Sequence, residues 1–254
     1  MASVTVKNLT LRFPVYGADN RSLKKHLARV SVGGVIGKDK SRAPVVTALS
    51  NINMKLRPGD RLALIGHNGS GKTTFLRALS GAYEPDEGTV EVSGRVAALL
   101  DLSLGIDPSA TGYDNIRLRG LIGGLSRKEI DDKLESIAGF TGLGGFLAMP
   151  LKTYSAGMQA RLAFAVATSV DADVLLLDEW IAVGDAKFRE AAHERLLDLV
   201  ERARILVLAS HDVNLVKYYC NKVVRFDGGV ASKIHPIEDL EELLALPTGE
   251  PNVA

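Results

Sequence analysis

Residues 66 to 73 read Gly66-His67-Asn68-Gly69-Ser70-Gly71-Lys72-Thr73, a complete G-x-x-x-x-G-K-[ST] loop, and its flanks restrict the folds that can carry it. The apolar run Leu62-Ala63-Leu64-Ile65 enters as a strand, and Thr74-Phe75-Leu76-Arg77-Ala78-Leu79 leaves as a helix. In that arrangement successive backbone N–H groups and the positive end of the helix dipole converge on one anion. Lys72 then reaches the outer phosphates of a nucleotide, and Thr73 can ligate Mg2+. The expected ligand is a nucleoside triphosphate bound along Gly66 to Thr74. The loop alone leaves open whether phosphate passes to water, to a substrate or to nothing.

A length of 254 residues suits one large α/β domain or two small ones. Lysine and arginine total 31 against 30 acidic residues, so no global basic excess points to a nucleic-acid partner, and none is expected. The lone Cys220 excludes an intramolecular disulfide or a cysteine metal cage, fits a reducing compartment, and is expected in the core. No run approaches the ~20 apolar residues of a transmembrane helix, and Met1-Ala2-Ser3-Val4 lacks a signal-peptide pattern. The expected place is the cytosol or the periphery of a membrane.

Strand periodicity dominates the N-terminal third: Val4, Val6, Leu9 and Leu11, then Leu49, Ile52, Met54 and Leu56, then Val90 and Val92 between turns at Gly88 and Gly94. This predicts a mostly antiparallel sheet beside the phosphate loop. Residues 17 to 44 interrupt it as an insertion, with helical spacing over Ser22 to Val30 and then a glycine-rich stretch. From about 104 to 165 the pattern becomes helical; Ser126-Arg127-Lys128-Glu129 is a capping box opening a helix whose Ile130, Leu134 and Ile137 share a face. The wholly apolar runs Val174–Leu177 and Ile205–Leu208, separated by a helix carrying Phe188, Leu196, Leu199 and Val200, read as buried parallel strands with a crossover. A strand over Val223–Phe226, a turn at Asp227-Gly228-Gly229 and an acidic amphipathic helix around Glu238 to Leu246 close one domain over 1–246, leaving 247–254 as a flexible tail.

Asp178 and Glu179 follow the apolar run Leu175-Leu176-Leu177, at the strand end where open α/β sheets bind ligands. Asp178 is the natural Mg2+ partner, through water, and Glu179 the natural base or orienter for an attacking water. The next strand ends in Ala209-Ser210-His211-Asp212, which brings His211 to the same edge. Tyr154-Ser155-Ala156-Gly157-Met158-Gln159 precedes a helix expected over Ala160 to Thr168, and Ser155 with the first free N–H groups of that helix forms a second anion site.

In the order of these motifs the chain resembles the ATP-binding subunits of ABC transporters along nearly its whole length. The resemblance implies an α/β P-loop NTPase core of ABC type, with an antiparallel β subdomain and a helical subdomain. It also implies a head-to-tail dimer, in which Ser155, Gly157 and Gln159 of one copy close on the ATP held by the phosphate loop of the other. Carried over residue by residue, Asp178 takes the magnesium role, Glu179 the catalytic role, His211 the switch, and Asp185 lies in the loop that crosses the dimer interface. Two departures stand out: Ala156 where many members have glycine, and Asp101 as the substitute for the usual glutamine of the loop that senses the γ-phosphate.

Leu99-Leu100-Asp101 through Pro108, Ala110 to Ile116, Lys152 to Met158 and Ala182 to Phe188 look like the branch that exports lipid-linked polysaccharides such as O-antigen, capsule or teichoic acid. That likeness implies ATP and Mg2+ as ligands, a polytopic membrane permease as partner, and a place at the cytoplasmic face of the membrane. Members carry an extra N-terminal helix near the membrane, which residues 20 to 30 could supply; the insertion's Arg21, Lys24, Lys25, Arg29, Lys38, Lys40 and Arg42 face only Asp39 in charge. Tyr16 is the first choice for stacking on adenine, with Phe13 the competitor. The rival readings are an ABC ATPase for another exported substrate, a non-transport ABC ATPase that remodels a nucleic-acid complex, and a small-molecule kinase; the last leaves the Ser155 motif without purpose.

Overall fold

The computed structural model describes residues 2–14, 35–38, 44–100, 105–179 and 186–247. The chain divides into two compact units, the first being Met1–Gly94, Leu177–Glu179 and Ile205–Ala254, the second Arg95–Leu176 and Trp180–Arg204.

The first unit opens with β1 (Ser3–Pro14), β2 (Val35–Lys38) and β3 (Pro44–Leu56). β1 and β3 run antiparallel, and their apolar residues Val4, Val6, Leu9, Leu11, Leu49, Ile52 and Leu56 are buried. The spacing of three between Val6 and Leu9, and again between Leu49 and Ile52, breaks a strict period of two. Register shifts mark both, with Asn8 at the first at φ 50° and Asn51 at the second at φ 49°. Asparagine tolerates the left-handed region, and such an irregularity re-phases the strand so that later apolar residues still face the core. Within the stretch read as an insertion, β2 pairs with β3, with Ile36 opposite Val46. β4 (Arg61–Ile65) leads to α1 (Lys72–Leu79), and β5 (Glu87–Ser93) adds to the far side of β1, giving the antiparallel order β2-β3-β1-β5.

The second unit starts at β6 (Val96–Leu99) and continues through α2 (Gly112–Ile122) and α3 (Arg127–Thr141). Both helices begin with a complete capping box, Thr111 with Asp114 and Ser126 with Glu129. In each, hydroxyl and carboxylate satisfy N–H groups that the helix itself cannot. α4 (Ala156–Ala167), β7 (Val174–Asp178) and α5 (Ala186–Arg202) follow. Ile116, Ile137, Leu147, Leu151, Leu162 and Val166 form the buried centre of the helical part. Phe140, Phe164 and Phe188 pack ring to ring, and the Arg195 guanidinium lies 4.2 Å from the Phe140 ring centroid, an arrangement in which the cation meets the negative face of the ring. β7 is buried on both sides, as its unbroken apolar run requires, and its last two residues belong with the first unit.

The chain returns to the first unit with β8 (Ile205–Ala209), α6 (Val213–Tyr219), β9 (Lys222–Asp227), β10 (Val230–Ala231), β11 (His235–Pro236) and α7 (Leu240–Ala245). β4 is the inner strand, parallel to β8 on one side and to β9 on the other, in the order β10-β9-β4-β8. Cys220 is buried as expected, and burial pushes its thiol up to about 12, which keeps it protonated and inert.

Candidate functional site

Leu62, Ala63, Leu64 and Ile65 are all buried in β4, so the strand is held on both faces and delivers Gly66 to a fixed point. Gly66 has φ 141°, and a Cβ there would lie 2.2 Å from the Phe226 carbonyl oxygen; only glycine lets β4 leave the sheet so close to β9. Gly71, at φ 111°, caps α1, and the backbone of the loop is hooked to the β9–β10 turn by Gly229 N–H donating to the Ser70 carbonyl at 3.0 Å. The Lys72 ammonium donates to the carbonyls of Gly66 at 2.7 Å and His67 at 3.0 Å, which holds it under the loop. Burial pushes the Lys72 pKa down, while the Glu179 and Asp178 carboxylates pull it back up.

The strand ends converge on this loop. Thr73 Oγ1 donates to Asp178 Oδ2 at 2.7 Å, so the two oxygen donors expected to serve one cation meet at one place. Glu179 N–H donates to the Ala209 carbonyl at 2.8 Å, and Ser210 Oγ donates to Glu179 Oε2 at 3.3 Å. The His211 Nε2 atom lies 3.0 Å from Asn68 Oδ1 and 3.7 Å from Glu179 Oε1. A cavity of 360 Å3 is lined by Asn68, Gly69, Lys72, Thr73, Thr74, Asp178, Glu179 and His211. These are residues from three separate motifs, drawn together because β4, β7 and β8 all end at the same edge.

Glu179 sits at φ 71°, a left-handed conformation that an L-residue adopts at a cost. Its N–H and its carboxylate are both held by the end of β8, which over-determines the backbone there.

Two oxygen donors, one of them a carboxylate, suit a hard divalent cation whose remaining positions go to phosphate and water. Among the described residues no cluster of three His, Cys, Asp or Glu side chains forms a protein-only metal cage. Thr73 and Asp178 therefore fit Mg2+ bound together with a nucleotide.

The Ser155 motif lies on the second unit. Ser155 is the N-cap of α4, accepting from Met158 N–H at 3.2 Å, so the helix begins at Ala156 and not at Ala160. The hydroxyl already caps the first turn, which is why the helix starts earlier than its apolar pattern suggests. Ser155, Ala156 and Gly157 are exposed, and Gln159 Nε2 reaches back to the Leu151 carbonyl at 3.3 Å. Phe13 packs edge-on against Tyr83 with ring centroids 5.2 Å apart. Tyr16, Asp101, Asp185, the stretch of the insertion expected to be a basic helix and the tail after Pro247 lie outside the described residues.

Three supporting contacts escaped the sequence reading, one of them made by Asn68, a residue already expected to bind the nucleotide. Ser210 holds the Glu179 carboxylate, Asn68 holds the ring of His211, and Asp227 holds His67, with Oδ1 3.2 Å from Nε2. Ser210 was legible in principle as the residue before His211 at a strand end. Asp227 was not, because only the pairing of β9 with β4 brings it to the loop.

A family model described as ABC transporter matches residues 49–182. The O-antigen export system ATP-binding protein RfbE of Yersinia enterocolitica is 44% identical over 230 residues, covering 91% of this chain and 96% of the relative. The O-antigen export system ATP-binding protein RfbB of Myxococcus xanthus is 40% identical over 78% of this chain, which spans only 46% of that relative. An ATP-binding cassette solved as a dimer in a post-hydrolysis state with ADP and Pi superposes with a TM-score of 0.64 at 19% identity, covering 92% of this chain and 98% of that one. The fold, the matched motifs and the level of identity agree: this chain belongs to the ABC transporter family, as an ATP-binding cassette that hydrolyses ATP.

Proposed function

We propose that the chain powers export of a lipid-linked, O-antigen-like polysaccharide across the cytoplasmic membrane, as a peripheral subunit on a polytopic permease. The observation that carries this reading is the 44% identity to an O-antigen export ATP-binding protein over 96% of that relative's length. A teichoic acid export ATP-binding protein, TagH of Lactiplantibacillus plantarum, is 32% identical over 87% of this chain, which keeps the polymer class broad. No helix among the described residues is long and apolar enough to cross a membrane.

The reaction follows from the placement of the chain's own groups. Backbone N–H groups of Gly69 to Thr73 and the Lys72 ammonium would hold the phosphates, and Thr73 with Asp178 would hold the metal. Mg2+ bound there supplies charge neutralisation on the phosphate oxygens. Glu179 orients or deprotonates the attacking water, and His211, steadied by Asn68 and 3.7 Å from the Glu179 carboxylate, takes the switch role beside it. Ser155 and Gly157 are exposed at a helix start, so they are free to add donors to the ATP on a second copy. ATP then joins two copies head to tail, and its cleavage releases them.

Glu179→Gln is the test. It keeps the side chain's shape but removes the base, so hydrolysis should fall about 100-fold or more while ATP drives a stable dimer visible by light scattering. Unchanged turnover would remove Glu179 from its role. For the substrate, loss of the gene should leave lipid-linked polymer on the cytoplasmic side, and the protein should co-purify with a polytopic membrane subunit. Co-purifying RNA, or ATPase activity that appears only with an acceptor, would favour the rival readings.

A further inference from the structure

The parallel pairing of β4 with β9 sets Ile65 opposite Arg225. Two residues further along the chain from each lie His67, in the phosphate loop beyond the end of β4, and Asp227, the last residue of β9. Both side chains of β9 are engaged in one chain of contacts. Arg225, with only 12% of its side chain exposed, donates to the carbonyls of Leu243 at 3.0 Å, Leu246 at 2.8 Å and Pro247 at 2.9 Å. These are carbonyls at the C-terminal end of α7, which the helix cannot satisfy internally. The guanidinium also lies 3.8 Å from Asp227 Oδ2, and the other Asp227 oxygen is 3.2 Å from His67 Nε2. His67 Nδ1 in turn contacts the Asn68 carbonyl at 2.8 Å, and the Asn68 side chain holds His211.

We propose that Arg225 and Asp227 are positioning residues that tie the C-terminal helix α7 to the phosphate loop, so that the seating of α7 sets how well the loop fits the phosphates of ATP. This rests on the ATP-hydrolysing reading of the same site. A helix cap alone would need Arg225 but not Asp227 or its contact with His67. The space around the link also suits a movable element: a cavity of 230 Å3 separates Gly66, His67 and His211 from Leu240, Leu243 and Leu244 of α7. Leu240 and Leu243 anchor the helix, at 1% and 3% exposure, and Lys217 pairs with Glu241 on its outer side. A shift of α7 therefore moves the carbonyls that Arg225 grips, and the strain passes through Asp227 to the loop.

The experiment measures KM for ATP, kcat and Tm on the full chain, together with direct binding of a fluorescent ATP analogue. Asp227→Asn weakens the contact to His67 and should raise KM about five- to tenfold with kcat within about twofold. Asp227→Glu, which keeps the carboxylate, should recover much of that loss. Leu243→Ala loosens the anchor of α7 and should also raise KM, and the double variant Leu243→Ala with Asp227→Asn should be no worse than the stronger single one, because both act through one link. His67→Asn breaks the same link from the loop side and carries the test if the Asp227 variants fail to fold. A lower Tm with KM within about twofold of wild type, or full additivity in the double variant, overturns the proposal. Failure of the wild-type chain to bind the analogue would instead overturn the ATP reading on which the proposal rests.

Discussion

Replacing Glu179 with glycine should make the protein more stable than replacing it with alanine. At most positions glycine is the worse of the two by about 0.5–1 kcal/mol, since it loses more backbone freedom on folding. At φ 71° the order reverses. The left-handed conformation costs a residue with a Cβ about 1–2 kcal/mol, and alanine retains that cost while glycine does not. The difference left after the entropy of glycine is about 0–1.5 kcal/mol, centred on about 0.75, in favour of Glu179→Gly. For a chain of this size that is a Tm about 2 °C above Glu179→Ala. Both variants lose the Ser210 hydroxyl's contact equally, so it cancels from the comparison. Both should also lose hydrolysis by about 100-fold or more, for want of the carboxylate. Calorimetry on the two purified variants without nucleotide is the assay. An alanine variant that melts at or above the glycine variant would refute the claim that Glu179 is held in a costly backbone conformation.

Other outcomes follow from the second unit. At Gly112 a Cβ would lie 2.4 Å from Tyr154 Oη and 3.0 Å from Leu147 Cα, so Gly112→Ala should lower the denaturation midpoint by the equivalent of about 1–3 kcal/mol. Gly139 lies within α3 with open space around it, so Gly139→Ala should raise the midpoint by about 0.5–1 kcal/mol; a fall at Gly139 or no change at Gly112 would count against these packings. Hydrogen bonds from the Ser126 backbone and hydroxyl, then from Arg95, hold the Glu129 carboxyl down from 4.5 to about 2. Because the folded value is depressed, its contribution is complete above the ordinary carboxylate value and lost as pH falls through about 2. The stability gap between wild type and Glu129→Gln should therefore shrink over that window in acid titrations, and a gap that stays constant would exclude the capping carboxylate as its source.

Much of the site was legible because its motifs are local. A loop that must bind a phosphate declares itself in eight consecutive residues, and an acid or histidine at the end of an unbroken apolar run lies at the ligand edge of a parallel sheet. The Ser126 box likewise appeared where its spacing placed it. The start of α4 was misjudged, since the apolar period begins at Ala160 whereas the hydrogen bond to Ser155 begins the helix at Ala156. The irregularities at Asn8 and Asn51 were hidden for a related reason: spacing of the apolar residues shows a phase change but not the backbone that produces it.

Contiguous pattern was enough to place a strand, a glycine-rich loop and a helix in succession, and to bring Asp178, Glu179 and His211 to the same sheet edge. These follow from contiguous pattern and from the chemistry each residue type can perform. The side chains that hold those groups in place emerge from the folded chain: Thr73 on Asp178, Ser210 on Glu179, Asn68 on His211, and Asp227 on His67. Such pairs, three of the four separated by more than 100 residues, depend on the register of β4 against β8 and β9, and register is set by the burial of whole strands, not by any motif within them.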